Sequence, residues 1–126
     1  MASPEAVFRG MVGAFGAGDR EAMRVLLADG LVAYVTNADG GVDQVDGPDG
    51  YLARVPDGKD AAFTADVTQV VTVAEGQVLG MVEIKAQRKG RTLHNHAAFL
   101  ARIADGRITE LWMVDALPAY SDEFWS

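Results

Sequence analysis

The chain has 126 residues, a formal net charge of −7 and no cysteine, which excludes disulfides, thiolate chemistry and thiolate-ligated zinc. Apolar residues make up 49% and charged residues 23%, the balance of one globular domain (1–126) with a core of its own. The acidic charge argues against nucleic-acid and anionic-membrane partners. No apolar run opens the chain as a signal peptide or reaches spanning length, so a cytoplasmic protein is expected.

Ser3, Pro4 and Glu5 mark a helix start: a capping hydroxyl, a proline at the first helical position and an acid in the first turn. Val7, Met11, Ala14 and Phe15 then recur at helical spacing. Gly16 and Gly18 weaken the helix end, and Asp19 caps a second helix that carries Ala22, Met23, Leu26 and Leu27 and stops at Asp29-Gly30. Leu31 to Thr36 reads as a strand, broken by the run Asn37 to Gly41. Pro48 opens a short third helix through Tyr51 and Leu52 that ends before Pro56, and Asp57 to Asp60 is a loop.

From Ala62 the period becomes two. Phe63–Val73, Val78–Arg88, a strand from Arg91 and a last strand to Asp115 form a four-strand meander with turns at Glu75-Gly76, Lys89-Gly90 and Asp105-Gly106. The tail aromatics Tyr120, Phe124 and Trp125 are expected to pack back onto the body.

Regular two-residue turns fix the facing pairs. Counting back from Asp105-Gly106 sets Leu100 against Leu111, Ala98 against Met113 and His96 against Asp115. Counting back from Lys89-Gly90 sets His96 against Glu83 and His94 against Lys85, and the turn at Glu75-Gly76 sets Asp66 against Lys85. One face then holds Phe63, Val67, Val71, Val82, Ile84, Phe99, Ile103, Ile108, Trp112 and Val114. The other has an apolar end of Leu79, Met81, Leu100, Leu111 and Met113, and a polar end of Asp66, Glu83, Lys85, His94, His96 and Asp115.

Glu83, His96 and Asp115 in one row hold an imidazole between two carboxylates, an arrangement suited to general acid–base work. A solvated charged face is the plain alternative, and one bulge in the meander would break the row. His94-x-His96 also has metal-ligand spacing on a strand, with Glu83 or Asp115 as the carboxylate. With only two histidines in the chain and Lys85 beside His94, no metal and no cofactor are expected. Tyr34 and Tyr51 are candidate pocket hydroxyls.

Helix, A-G-D, helix ending L-L-A-D-G, short strand, glycine-led helix and a meander carrying A-D-G-R-I-T-E-L-W-x-x-x-D together resemble the SnoaL-like family, within the superfamily of nuclear transport factor 2 and ketosteroid isomerase. The closing D-E-F-W is similar to the C-terminus of many bacterial members. The resemblance implies an α+β fold: a curved antiparallel sheet wrapped into a cone, closed by three helices around an apolar pocket. It also implies a homodimer. Positions matching Leu111, Met113 and Asp115 point into the pocket in such proteins, so the His96 face is expected inside. The Ile84, Phe99 and Trp112 face is then expected outside, against a dimer partner. Asp115 matches the terminal-strand acid–base aspartate of SnoaL-type polyketide cyclases. The general-base aspartate and the tyrosine of ketosteroid isomerases fall at about Val35 and Met11, and the Arg-x-Asp of limonene epoxide hydrolases at Glu83-x-Lys85, so those two mechanisms do not carry over.

The expectation is therefore a small cofactorless enzyme of the cyclase, isomerase or dehydratase kind. It would act on an apolar carbonyl compound such as a polyketide intermediate, with His96, Asp115 and Glu83 catalytic. Lys85, His94, Met81, Met113, Leu111, Leu100, Tyr34 and Tyr51 would bind substrate. The alternative is a non-catalytic small-molecule-binding or dimerisation module of the same fold.

Overall fold

The computed structural model describes residues 2–56 and 61–126; the loop expected at Asp57–Asp60 lies outside them. Helix α1 (Pro4–Gly16) and helix α2 (Arg20–Val25) start where the sequence signals them. The Ser3 hydroxyl accepts from the Ala6 amide at 3.2 Å and the Asp19 carboxylate from the Ala22 amide at 3.0 Å, each satisfying a donor that the helix leaves unpaired. Strand β1 (Leu27–Thr36) begins earlier than expected and runs through Asp29-Gly30. Strand β2 (Val42–Asp46) was not expected; helix α3 (Gly47–Leu52) follows directly. Then come β3 (Ala62–Ala74), β4 (Gln77–Arg88), β5 (Arg91–Ala104) and β6 (Arg107–Asp115). The tail does pack back, as a fourth helix, α4 (Pro118–Trp125), with Phe124 buried.

The strands form one curved, unclosed six-stranded sheet in the order β2-β1-β6-β5-β4-β3. β1 runs parallel to β6, so the sheet is mixed rather than purely antiparallel. Helix α1 lies across the inner face of the meander. Its Phe8 is fully buried against Phe99, with ring centroids 5.6 Å apart. Arg20 closes α3 by donating to the carbonyls of Leu52 and Val55.

Register decides which side chains share the interior. The β4–β5 ladder forms as expected, with Glu83 opposite His96 and Lys85 opposite His94. The β5–β6 ladder starts as expected at Ala104↔Arg107 and Ile103↔Ile108, but the next pair is Arg102↔Glu110. Thr109 is thus an extra residue on β6, a bulge that moves every later partner by one. Ala97 faces Asp115 and Leu100 faces Trp112; the expected pairs His96–Asp115, Ala98–Met113 and Leu100–Leu111 do not form. Further irregularities at Thr68 and Val73 shift β3 by two, so Asp66 faces Glu83 rather than Lys85.

The bulge also reverses the expected assignment of faces. Val82, Leu93, Asn95, Ala97, Phe99, Ala101 and Ile103 are buried, and Ile84 packs on that core. Leu111, Met113 and Asp115 do turn inward, as the resemblance implies. Because of Thr109, they share the interior with Phe99 rather than with His96. Phe99 and Ile84 are therefore core residues, and of the three side chains expected on an outer face only Trp112 lies there, with Tyr34 stacked on it at 5.4 Å.

Candidate functional site

Helices α1, α3 and α4 and the inner sheet face enclose a cavity of about 150 Å³. Its wall is largely apolar: Met11, Val12, Phe15, Met23, Val35 and Val55, with Val82, Ile84, Leu93, Phe99 and Met113 from the sheet side. Its polar groups come from Thr36, Tyr51, Arg54, Asp115, Ser121 and Asp122. A mostly apolar hollow with a few convergent polar groups is the usual form of a small-molecule site.

Asp115 is the most extensively hydrogen-bonded of these groups. Its Oδ1 accepts from the Asn95 side-chain amide at 2.6 Å and from the Leu117 backbone amide at 2.8 Å, while its own amide donates to the Thr36 hydroxyl at 2.9 Å. Asn95 is 3% exposed and also donates to the Ser121 hydroxyl at 2.8 Å. Its carbonyl oxygen accepts the His96 amide at 2.8 Å. Among the described residues, no hydrogen bond reaches Asp115 Oδ2, which leaves that oxygen for a ligand. Tyr51 lines the same hollow, and burial pushes its hydroxyl pKa far up, so it stays a donor.

Helix α4 supplies Ser121, Asp122 and Trp125, and four arginine contacts hold it in place. Arg88 donates to the carbonyls of Phe124 and Ser126 at 3.2 and 3.0 Å, and Arg91 to those of Glu123 and Ser126 at 2.7 and 3.3 Å. Cations at the carboxyl end of a helix meet its unpaired carbonyls and its dipole. Tyr120 adds a bond from its hydroxyl to the Thr92 carbonyl at 2.7 Å.

The residues singled out in the sequence divide between two surfaces. Asp115, Met113 and Tyr51 line the cavity, and Leu111 is fully buried beneath. His96, His94, Glu83, Lys85, Met81 and Leu100 project from the opposite, outer side of β4 and β5, and Tyr34 lies outside on β1. His96 is thus separated from Asp115 by the sheet itself. Outside, Glu83 Oε2 lies 2.6 Å from His94 Nε2 and 3.7 Å from His96 Nε2. Its hydrogen bond to His94, helped by the Lys85 charge, holds the Glu83 carboxyl below its usual pKa.

Asn95, Thr36, Arg54, Ser121 and Asp122 are site residues that the sequence reading passed over. One signal was available for Asn95. The alternate positions Leu93, Asn95, Ala97, Phe99, Ala101 and Ile103 are apolar except for that amide, the pattern of a core face bearing one polar group.

A family model described as a SnoaL-like domain matches residues 8–111. The chain belongs to the SnoaL-like family. An uncharacterized protein of Mycobacterium tuberculosis is 35% identical to this SnoaL-like chain over 86 residues, 68% of the chain and 63% of that protein. The match thus spans less than two thirds of the length of such curated relatives. Two solved structures share the fold. Bal32a, from a soil-derived mobile gene cassette, superposes with a TM-score of 0.80 at 20% identity, over 98% of this chain and 96% of its own. IdmH of Streptomyces antibioticus, a proposed polyketide cyclase, gives 0.78 at 20% identity, over 97% and 98%. In this SnoaL-like domain no helix of the described residues is long and apolar enough to cross a membrane.

Proposed function

We propose that this SnoaL-like protein binds a small, mostly apolar carbonyl compound in the cone, such as a polyketide intermediate, and that Asp115 moves a proton on it. The observation that carries this reading is the Asp115 carboxylate, set by Asn95 and the Leu117 amide at an otherwise mainly apolar cavity. In the step envisaged, Asp115 Oδ2 takes a proton alpha to the carbonyl, and the C–H electron pair moves onto the carbonyl oxygen as an enolate. Tyr51 donates a hydrogen bond to that oxygen. His96, His94, Glu83 and Lys85 are outside the cavity and take no part. The polyketide cyclase role proposed for IdmH supports the substrate class.

The test is exchange of alpha protons in heavy water, followed by NMR, across a panel of apolar carbonyl compounds that raise the melting temperature. Asp115→Asn should keep binding and lose exchange by about a hundredfold or more, while His96→Ala exchanges like wild type. Exchange by Asp115→Asn at the wild-type rate overturns the mechanism. Binding without exchange in the wild type identifies the second reading, a non-catalytic binding module. What favours that reading is the cavity wall at Met11 and Val35, where the resemblance to ketosteroid isomerases would place a tyrosine and an aspartate.

Self-association belongs to the same proposal, through an outer face made of Tyr34, Trp112, Leu100, Leu79, Met81 and Val114. Leu79 and Val114 are 41% and 50% exposed, and an apolar band of this kind calls for a partner. A second copy is the proposed occupant, and Trp112→Arg should convert a dimer to a monomer on size exclusion. A chain that is monomeric to begin with overturns this part.

A further inference from the structure

We propose that Glu83, His94 and His96 bind a divalent transition-metal ion of the zinc class on the outer face of the sheet. This inference is independent of the interior cavity. His94 and His96 are alternate residues of β5, so both imidazoles leave the same side. β4 sets Glu83 directly across from His96. One potential ligand atom from each residue lies within 4.8 Å of the others. A tetrahedral zinc ion with bonds of about 2.0–2.1 Å needs its ligand atoms roughly 3.3 Å apart. The two contacts to Glu83 Oε2, 2.6 and 3.7 Å, bracket that spacing, and the third separation, between the two imidazoles, is within 4.8 Å.

The donor set selects the ion. Two imidazole nitrogens and one carboxylate suit Zn²⁺ and its neighbours, whereas Mg²⁺ and Ca²⁺ want six or more oxygens. Two imidazoles and a carboxylate are also the protein ligands of some zinc sites that keep a position open for water. Here the side chains of His94, His96 and Glu83 are 53%, 51% and 26% exposed, so water reaches the fourth position. An ordinary ion pair accounts for only part of the cluster. It uses His94, but His96 Nε2 stands at 3.7 Å from the same oxygen, too far for a hydrogen bond. A cation among the three would engage every donor atom.

The surrounding charge is mixed. Lys85, across from His94, opposes a cation, while Asp66, across from Glu83 on β3, favours one. In the sequence, Lys85 weighed against a metal, and the carboxylate partner was split between Glu83 and Asp115. The fold removes Asp115 to the other side of the sheet and places Glu83 between both rings.

The experiment uses the full chain, freed of metal with a chelator and titrated with Zn²⁺ by calorimetry. Ring-proton NMR runs alongside; the chain has only two histidines, so every imidazole signal reports on the site. One ion per chain is expected, with both histidines shifting together up to one equivalent and the melting temperature rising. His94→Ala and His96→Ala should each weaken binding at least about tenfold, and the double variant should lose the rise in melting temperature. Lys85→Gln should tighten binding. The three side chains changed are exposed, and melting without metal checks that each variant folds. Absence of saturable binding, a shift of only one histidine, or equally tight binding by the double variant overturns the proposal.

Discussion

The side-chain amide of Asn95 donates to the Asp115 carboxylate across 2.6 Å, tying the one polar side chain of the buried β5 face to the end of β6. Both N–H donors of the amide are used, since it also donates to Ser121, and its oxygen accepts the His96 amide. Replacing it by its isostere, Asn95→Asp, removes the donor and sets two carboxylates side by side in a buried place. Stability at neutral pH should fall by at least about 1–3 kcal/mol, the cost of leaving buried polar groups unpaired. Like charges at this distance raise the pKa of one carboxyl in the folded state, so the added destabilisation appears as pH rises through that value. Melting curves of the variant should therefore approach wild type on mild acidification. A constant gap across pH 5 to 8, or no gap, would show that the two side chains are not coupled.

The contact between helix α1 and the sheet depends on Gly80. A Cβ added there would stand 2.2 Å from Phe8 Cε2 and 2.5 Å from its Cζ, and Phe8 is fully buried against Phe99. Its ring cannot swing into solvent, so the strain must be taken by the packing. Gly80→Ala should cost about 1–3 kcal/mol, as overpacking of a filled core does. Denaturant unfolding measures it, and Gly80→Ala/Phe8→Leu should recover part of the loss. A neutral Gly80→Ala would mean that α1 sits farther from β4.

On the outer face, the depressed pKa of Glu83 gives a pH signature of known sign. A carboxyl that is more acidic folded than unfolded stabilises the fold above its unfolded pKa, about 4.3, and loses that contribution as pH falls through the folded value. The first cause of the shift is the His94 hydrogen bond, with Lys85 adding to it. Wild type should therefore exceed Glu83→Gln in stability at pH 6 to 7, and the two should converge as pH drops below about 4. Both side chains are partly exposed, so salt should shrink the gap. Parallel melting-temperature curves down to pH 3 would refute the assignment.

Much of this arrangement was legible in local chemistry. Lys89-Gly90 and Asp105-Gly106 both adopt positive φ, 52° and 74° in the first and 54° and 77° in the second, the conformation that two-residue hairpin turns demand. Ser3-Pro4 and Asp19 fixed two helix starts for equally local reasons. Strand β2 escaped because its alternation, Val42 to Asp46, is short, acidic and at the sheet edge. The faces were misassigned for a different reason. Thr109 is an ordinary strand residue, and nothing local marks it as an extra one. Its effect is set by packing, since only the shifted register brings Leu111 and Met113 to the side where Phe99 and Leu93 are buried. The two cues that survive such a slip were the apolar run of alternate β5 residues and the family position of Asp115.

That bulge supplies the sharpest test of how the site is built. If Thr109 took a place in a regular ladder instead of bulging, the two-residue turn would set Asp115 opposite His96, as counting from the turn suggests. The same change would turn Leu111, 0% exposed, away from the core together with Met113, because a one-residue slip exchanges the two faces of a strand. Losing a buried leucine alone costs about 2–5 kcal/mol, and Asn95 would lose its carboxylate partner as well. Deletion of Thr109 removes only the extra residue and leaves Ala101↔Leu111, Phe99↔Met113 and Ala97↔Asp115 as a regular ladder, so the variant should keep its interior face, fold and melt cooperatively. Thr109→Ala keeps the extra residue, gives up only a 3.3 Å bond from its hydroxyl to the Arg102 carbonyl, and should melt within about 1 kcal/mol of wild type. Circular dichroism and thermal melts of the two variants decide the matter, and a deletion variant that binds hydrophobic dyes and melts without cooperativity would show that Thr109 is not simply the extra residue of the ladder.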